Sequence, residues 1–299
     1  MSAARQSRAI FGAHEDISGP SRWTKLRRVM RQQPLGVFGA IVIIVLILVA
    51  IFADFVAPYD PTDIQFKSIQ SPNGTNFFGT DNLGRDIFSR VILGSRTSLE
   101  VGIIATVIGT VGGALVGLLS GYFGGVIDMV LQRIMDALLA FPLIILALIM
   151  VAVFGNSIEK LMMVVGIAII PGVGRIMRGI VLSERQSLYV ESARATGATW
   201  QRIMFRHILP NVAAPLIVIA TSLLGGAVLV EAALSFLGLG TPPPTPSWGA
   251  DLSGSASTYF RHAPWMVIFP GAALSLVVLG FNLLGDALRD VLDPRLRNR

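Results

Sequence analysis

Cysteine is absent from the 299 residues, which excludes disulfides and thiolate metal sites and leaves the redox compartment open. Charge is scarce as well. Asp, Glu, Lys and Arg make up 14% of the chain, against about a quarter in a soluble domain. The three histidines, His14, His207 and His262, are scattered, and no metal-ligand or nucleophile–base constellation is legible. The lysines, Lys25, Lys67 and Lys160, follow Thr24, Phe66 and Glu159. A phosphate-binding P-loop needs lysine after glycine, so hydrolysis of ATP by that route is excluded and energy must come from a partner or an ion gradient. No chain of Asp, Glu and His crosses several apolar stretches, which weakens a proton-relay mechanism.

Apolar residues make up 53% of the chain, and the mean hydropathy is +0.68. Such a composition cannot cover a surface with polar groups, so part of the solvent must be lipid. A helix crossing the hydrocarbon core needs about 20 apolar residues. Five runs qualify directly: Leu35–Phe52, Val101–Leu119, Ala137–Phe154, Val212–Val230 and Ala263–Gly285. The third is expected to extend through Ile127–Asp136. A sixth, Leu161–Leu182, contains Arg175 and Arg178 near one end and is accepted because five spans would put the basic loops on opposite sides. The first run is long enough to stay in the bilayer rather than serve as a cleavable signal.

The net charge is +6, from 24 Lys and Arg against 18 Asp and Glu. These charges flank the apolar spans, so they read as orientation signals and not as a nucleic-acid patch. With the N-terminus inside, six spans place eighteen Lys and Arg on the inner side and six on the outer. Both termini are therefore expected in the cytoplasm.

Residues 1–20 read as a disordered cytoplasmic arm. In RWTKLRRVMR, residues 22–31, Trp23, Leu26 and Met30 share a helical face among basic residues. This suits a helix lying on the anionic inner leaflet, or plain positive-inside charge. The outer loop from Ala57 to Ser98 carries an amphipathic stripe, Ile87, Phe88, Val91 and Ile92, that Asp81 or Asn82 could cap. Local sequence favours a lid that finishes the fold over a contact surface for an outside partner. The second outer loop, TPPPTPSWGADL at 241–252, is proline-stiffened, and Trp248 and Trp265 suit the membrane interface.

Inside the membrane, Gly109, Gly113 and Gly117 give two overlapping GxxxG spacings, a signal for close helix approach whose partner helix the sequence does not name. Pro142, Pro171 and Pro270 each fall within a span and bend it. Pro171, with Gly172 and Gly174, marks the fourth span as the best candidate for a gate-lining helix; a static kink is the stronger alternative. Arg133 and Asp136 are spaced to pair along one helix. Glu231 follows nineteen uncharged residues and is expected near the outer headgroups, solvated or paired.

Residues 187–210 read SLYVESARATGATWQRIMFRHILP. They read as two short helices around Gly197, in a cytoplasmic loop between the fourth and fifth spans. Val190, Ala193 and Arg194 share one face, Thr199 can cap the second helix, and Gly197 suits the left-handed turn between them. Pro210 suits the start of the fifth span. Ala193, Ala195, Gly197 and Ala198 leave a low-relief surface that a partner's groove could enclose. Composition alone favours a plain hairpin.

This segment resembles the EAA loop of ATP-binding-cassette (ABC) importer permeases: Glu191, Ala193, Gly197, Leu209 and Pro210 fall in register. Ser192 replaces the middle Ala and His207 stands where Ile is usual. FGTDNLGRDIFSRV (78–91), SGYFGG (120–125), EAALSFLGLG (231–240), PTPSWGADL (244–252) and FNLLGDALRDVLDPRL (281–296) are similar to the C-type permease subunit of dipeptide/oligopeptide importers. The resemblance runs from about Trp23 to the C-terminus. It implies an all-α integral membrane protein with six transmembrane helices in the type I ABC importer permease (MetI-like) fold. The implied parts are a cytoplasmic arm with an interfacial helix (1–34), a first transmembrane helix (35–56) and an extracytoplasmic loop (57–98). A five-helix core with the coupling loop 187–210 (99–288) and a cytoplasmic tail (289–299) complete it.

The resemblance further implies a bacterial inner-membrane complex. A B-type permease subunit shares the translocation path, two ABC ATPase subunits bind ATP and Mg, and an extracytoplasmic binding protein delivers substrate. This chain then holds no cofactor and no metal and is not an enzyme. ATPase docking would fall on Tyr189, Glu191, Ala193, Arg194, Gly197, Ala198, Leu209 and Pro210. Helix packing or gating would fall on Gly109, Gly113, Gly117, Pro171 and Gly174. Nickel, glutathione and some sugar importers share such permeases, so the cargo is less specific than the family. The competing classes are an ion-coupled secondary transporter or channel, which predicts intramembrane carboxylates and inverted repeats, and a non-transporting scaffold.

Overall fold

The computed structural model describes residues 31, 33–256 and 258–292. The expected arm, the surface helix with Trp23, Leu26 and Met30, and the end of the basic tail lie outside the described residues. Helices account for the architecture: α1 (Pro34–Ile51), α2 (Ala53–Val56), α3 (Ile87–Phe123), α4 (Gly125–Leu139), α5 (Leu143–Phe154), α6 (Ile158–Glu184), α7 (Leu188–Ala195), α8 (Trp200–Arg202), a π-helical segment (Ile203–Ile208), α9 (Leu209–Phe236), α10 (Trp248–Ala256) and α11 (Trp265–Leu292). Five helical segments are long and apolar enough to cross a membrane alone, and α4 with α5 makes a sixth, broken span. Apolar side chains face outward along them, Leu35 at 66% exposure and Val153 at 73%, as suits surfaces that meet lipid or another membrane helix rather than water.

The third span departs from the expected bent helix. Its halves meet at 93°. Pro142 has no N–H to donate and stands in an extended conformation, φ −53° and ψ 136°, and its ring disfavours a helical conformation at Phe141 before it. By contrast, α6 and α11 run unbroken through Pro171 and Pro270, both buried. Pro215 in α9 is a further interior proline that the span reading passes over.

The second span also differs. The amphipathic stripe from Ile87 is not a separate helix but the first turns of α3, a rod of 37 residues. Asp86, not Asp81 or Asn82, caps it, accepting from the Ser89 N–H at 2.8 Å. Asp81 instead organises the preceding turn, accepting from the backbone N–H groups of Leu83 and Arg85 and from Arg85 Nε at 2.6 Å.

The glycine stripe packs on α6. A Cβ on Gly113 would lie 2.5 Å from Val173 Cβ, and one on Gly117 would lie 2.5 Å from Met177 Cβ and 2.8 Å from the Arg178 nitrogen. Gly109 and Gly121 extend the contact in both directions. From the other side, a Cβ on Gly166 would lie 2.7 Å from Ile108 Cβ. Gly174 is buried in this same seam rather than facing a passage. Small residues let the two backbones approach where no hydrophobic force drives them together. A second close approach joins α1 to α11, where a Cβ on Gly39 would lie 2.8 Å from the Gly280 carbonyl oxygen.

At the end of the fold that carries loop 57–86, the expected interfacial tryptophan at 248 is fully buried and donates its indole N–H to the Val91 carbonyl at 3.0 Å. Trp265 is half-buried and donates to the Thr80 carbonyl at 3.3 Å. Glu231 is also fully buried, not solvated, and accepts from the Ser235 hydroxyl at 2.7 Å. The reason is common to both. Loop 237–247 and α10 fold back over the ends of α3 and α9, so Glu231, next after the apolar run, and Trp248, the first residue of α10, are both enclosed by protein. Beside them, the buried Arg90 guanidinium pairs with Asp251 and donates to the Pro61 carbonyl at 2.9 Å.

A candidate coupling site at the α6–α9 hairpin

The hairpin begins where α6 ends at Glu184. Ser187 starts α7, but its hydroxyl donates to the Glu184 carbonyl at 2.6 Å and leaves the α7 N–H groups without a side-chain cap. Glu184 is tied again by the Tyr189 hydroxyl, which donates to its carboxylate at 2.5 Å. Partial burial, with the Glu184 charge adding to it, pushes the Tyr189 phenol above its ordinary pKa, so it remains a donor at neutral pH.

Gly197 closes α7. Its φ is +78°, a left-handed conformation that costs a side-chain-bearing residue energy. The Gly197 N–H reaches the Arg194 carbonyl at 2.9 Å and the Ala198 N–H reaches the Ala193 carbonyl at 3.0 Å. This pair of bonds is a Schellman motif, which satisfies the last carbonyls of the helix. Thr199 occupies the cap position of the next helix, as expected, but its side chain makes no capping bond.

Beyond Thr199 the chain does not restart at Pro210. Residues 200–236 form one continuous helical rod through α8, the π segment and α9. Leu209 N–H bonds to the Met204 carbonyl, five residues back. Pro210 has no N–H and its ring crowds the carbonyl four residues earlier; a wider turn just before it lets the helix pass without breaking. Pro210 is therefore the second residue of α9 within a rod that began ten residues upstream.

The hairpin is welded to the membrane-embedded core. Val190, Ile203, Met204 and Ile208 are buried in the same apolar cluster as Met177, Val181 and Val212. Trp200 meets Phe123 edge-on, with ring centroids 5.3 Å apart, and so binds the second arm to the foot of α3. Below, two ion pairs hold α4 across α6. Arg178 donates to both oxygens of Asp128 at 2.6 Å, and Arg175 pairs with Asp136. The expected Arg133–Asp136 pair is not made, because α4 turns Asp136 toward α6. Gln132 and Ser120 complete the Asp128 network.

These contacts sort the expected docking residues. Glu191, Arg194, Gly197 and Pro210 are exposed, Tyr189 lies at the edge of exposure, and Ala198 and Leu209 are half-buried. Ala193 is buried against the protein's own core and is a packing residue of α7, not part of an open face. Leu188, Trp200 and Phe205 were not among the expected residues. Leu188 is 81% exposed, Trp200 44% and Phe205 50%. The signal for them was available: large apolar residues in a short segment outside any span, at positions that alternate with the buried set. Of the gating candidates, Gly109, Gly113, Gly117 and Gly174 meet in the α3–α6 seam, and Pro171 is buried beside it.

Six apolar spans with an exposed helical hairpin between the fourth and fifth are set beside known proteins as follows. Residues 113–298 match the model of the binding-protein-dependent transport system inner membrane component, and residues 21–73 match that of the N-terminal transmembrane domain of oligopeptide transport permease C. The chain belongs to this family, the membrane-embedded permeases of ABC importers. Among its relatives is the dipeptide transport system permease protein of Alkalihalophilus pseudofirmus, 43% identical over 286 residues that cover 95% of this chain and 93% of the relative. Another is the glutathione transport system permease protein of Shigella flexneri serotype 5b, 45% identical over 277 residues, or 92% and 91% of the two chains.

Proposed function

We propose that this chain forms, with a B-type partner subunit, the translocation path of an importer for di- or oligopeptides. Two separate ATPase subunits bind ATP and Mg and dock on hairpin 187–210, and an extracytoplasmic binding protein delivers the cargo. This chain contributes no catalytic group. The observation that carries the reading is the rod of residues 200–236, which begins in the exposed hairpin and ends across the bilayer. A push on Leu188, Glu191 or Arg194 reaches α6 and α9 through the buried Val190 and Ile203 without crossing a flexible joint. Glutathione is a second cargo, favoured by the 45% identical glutathione permease. It is itself a short peptide, so one path suits both.

The hairpin end and both termini face the cytoplasm of a bacterial cell; the eighteen-to-six distribution of Lys and Arg supports this direction. The absence of native cysteine makes labelling direct. A cysteine at Gly74 should react with an impermeant maleimide in intact spheroplasts and one at Gly197 only after lysis; the reverse pattern refutes the orientation. For the transport reading, the purified assembly in proteoliposomes should take up labelled dipeptide only with binding protein and ATP. Uptake by vesicles containing this chain alone, with no ATPase present, would sink it. Competition between labelled dipeptide and glutathione decides the cargo.

A further inference from the structure

A groove of about 310 Å³ opens to the bilayer between the end of α1 and the outer part of α3. Ile47, Ile51, Ile103 and Ile104 form its walls, all exposed, and Arg96 and Glu100 stand at its mouth. The two charges are one helical turn apart but do not engage each other. Arg96 reaches across to α1 instead. Its Nε donates to the Ala50 carbonyl at 3.1 Å, and one Nη donates to the Ile51 carbonyl at 3.3 Å and to Asp54 at 3.0 Å. The other Nη gives one N–H to Asp54 and keeps one unused.

Glu100 is left over. It is exposed, and among the described residues it has no ion pair or hydrogen bond from a side chain. Asp54 and Glu100 against Arg96 leave the mouth with one excess negative charge. Its depth is fixed by the chain: α1 ends at Ile51, and no charge follows Glu100 until well past the bilayer core, since Val101–Leu119 is uncharged. The mouth therefore lies at headgroup level and the isoleucine walls lie in hydrocarbon.

We propose that this groove is a specific site for one phospholipid with a primary-ammonium headgroup, phosphatidylethanolamine. The ammonium rests on Glu100, the phosphate meets the unused Nη–H of Arg96, and an acyl chain follows the isoleucine walls. Charge complementarity selects this occupant. An anionic phosphatidylglycerol headgroup meets an excess of its own sign, and the quaternary ammonium of phosphatidylcholine has no N–H to donate to Glu100.

Native mass spectrometry of the delipidated importer assembly tests the site. Dioleoyl forms of phosphatidylethanolamine, phosphatidylcholine and phosphatidylglycerol are titrated in parallel. The ethanolamine lipid should bind at about fivefold lower concentration than the other two, the ratio set by one partly exposed charge contact. Glu100→Gln, an exposed change that the fold tolerates, should abolish that preference. Ile103→Trp, which fills the groove, should weaken all three lipids. Equal affinity for the three lipids in the unaltered assembly overturns the proposal, and so does a preference that survives Glu100→Gln. A photoreactive residue at Ile104 should capture lipid; capture of another subunit instead would give the groove to a protein helix and defeat the assignment.

Discussion

Replacing Gly197 separates two explanations for its presence. In one, the docking face must be flat, and any side chain is harmful in proportion to its size. In the other, the backbone must be left-handed. The structure favours the second, because a Cβ at 197 would meet nothing within 4 Å while φ stands at +78°. For alanine the left-handed conformation costs about 1–2 kcal/mol; asparagine, whose side chain supports it locally, is the better tolerated replacement. The whole cost falls on the Schellman turn. The Gly197→Ala turn should therefore open about 5–30 times more often than the original. Hydrogen exchange at the Ala198 amide, bonded to the Ala193 carbonyl, reads this directly. In proteoliposomes, peptide uptake per ATP hydrolysed should fall for Gly197→Ala and fall less for Gly197→Asn, with membrane insertion unchanged for both. If Asn, the larger residue, uncouples more than Ala, or if exchange at Ala198 is the same in all three proteins, the conformational argument is wrong and the surface argument takes its place.

Gly113→Leu forces a side chain against Val173, 2.5 Å from the ideal Cβ position; thermal unfolding in detergent should show a loss of about 1–3 kcal/mol, the range for overpacking. Asp128→Asn leaves Arg178 without its charged partner and should lower the melting temperature more than the double change Asp128→Asn/Arg178→Gln does, since the single variant strands a charge. Trp248→Phe keeps a buried ring but removes the indole N–H that bonds the Val91 carbonyl, which retains its helical partner, and should cost about 0.5–1.5 kcal/mol with the spans still inserted. Pro210→Ala restores an N–H and should let residues 203–208 relax to an ordinary α-helix, detectable as a shift in the periodicity of cysteine accessibility along the second arm.

Five of the spans were legible from composition because each declares itself locally: eighteen or more apolar residues need no knowledge of the rest of the chain, whereas the span holding Arg175 and Arg178 was accepted only on the balance of basic loops. The turn of the hairpin was legible for a similar reason, since Gly197 carries its backbone constraint with it, whereas Pro210 pointed to a helix start that the structure places ten residues earlier, at Trp200. What escaped depends on contacts far apart in sequence. The glycine stripe announced a close approach, but only the assembled fold supplies α6 as its partner. Glu231 looked interfacial because the count of apolar residues places it at the end of a span, and Trp248 because it sits in the outer loop 241–252; nothing local says that this part of the chain folds back and buries both. Asp136 had a plausible partner one turn away in Arg133, and the competing Arg175 lies 39 residues further along. Ala193 fitted the docking pattern by register, yet a residue whose small size suits an open face equally suits close packing against Ile203. Pro142 was read as a bend because prolines in spans usually bend; Pro171 and Pro270, buried in unbroken helices where Pro142 is exposed at a right angle, show that the residue type alone does not distinguish the two outcomes.

The unbroken run from Trp200 to Phe236 also sets a rule for its own length. Each residue advances a helix by about 100°, so one insertion or deletion in its α-helical parts would swing the hairpin's outward face a quarter-turn away from whatever it meets. The widened collar at 203–208 is the place where one residue more than an α-helix needs is already absorbed. Shortening it by one should restore regular winding there and leave the tip close to its present alignment. Variation in chain length among working versions of this protein should therefore collect in loops 57–86 and 237–247 and spare the shaft.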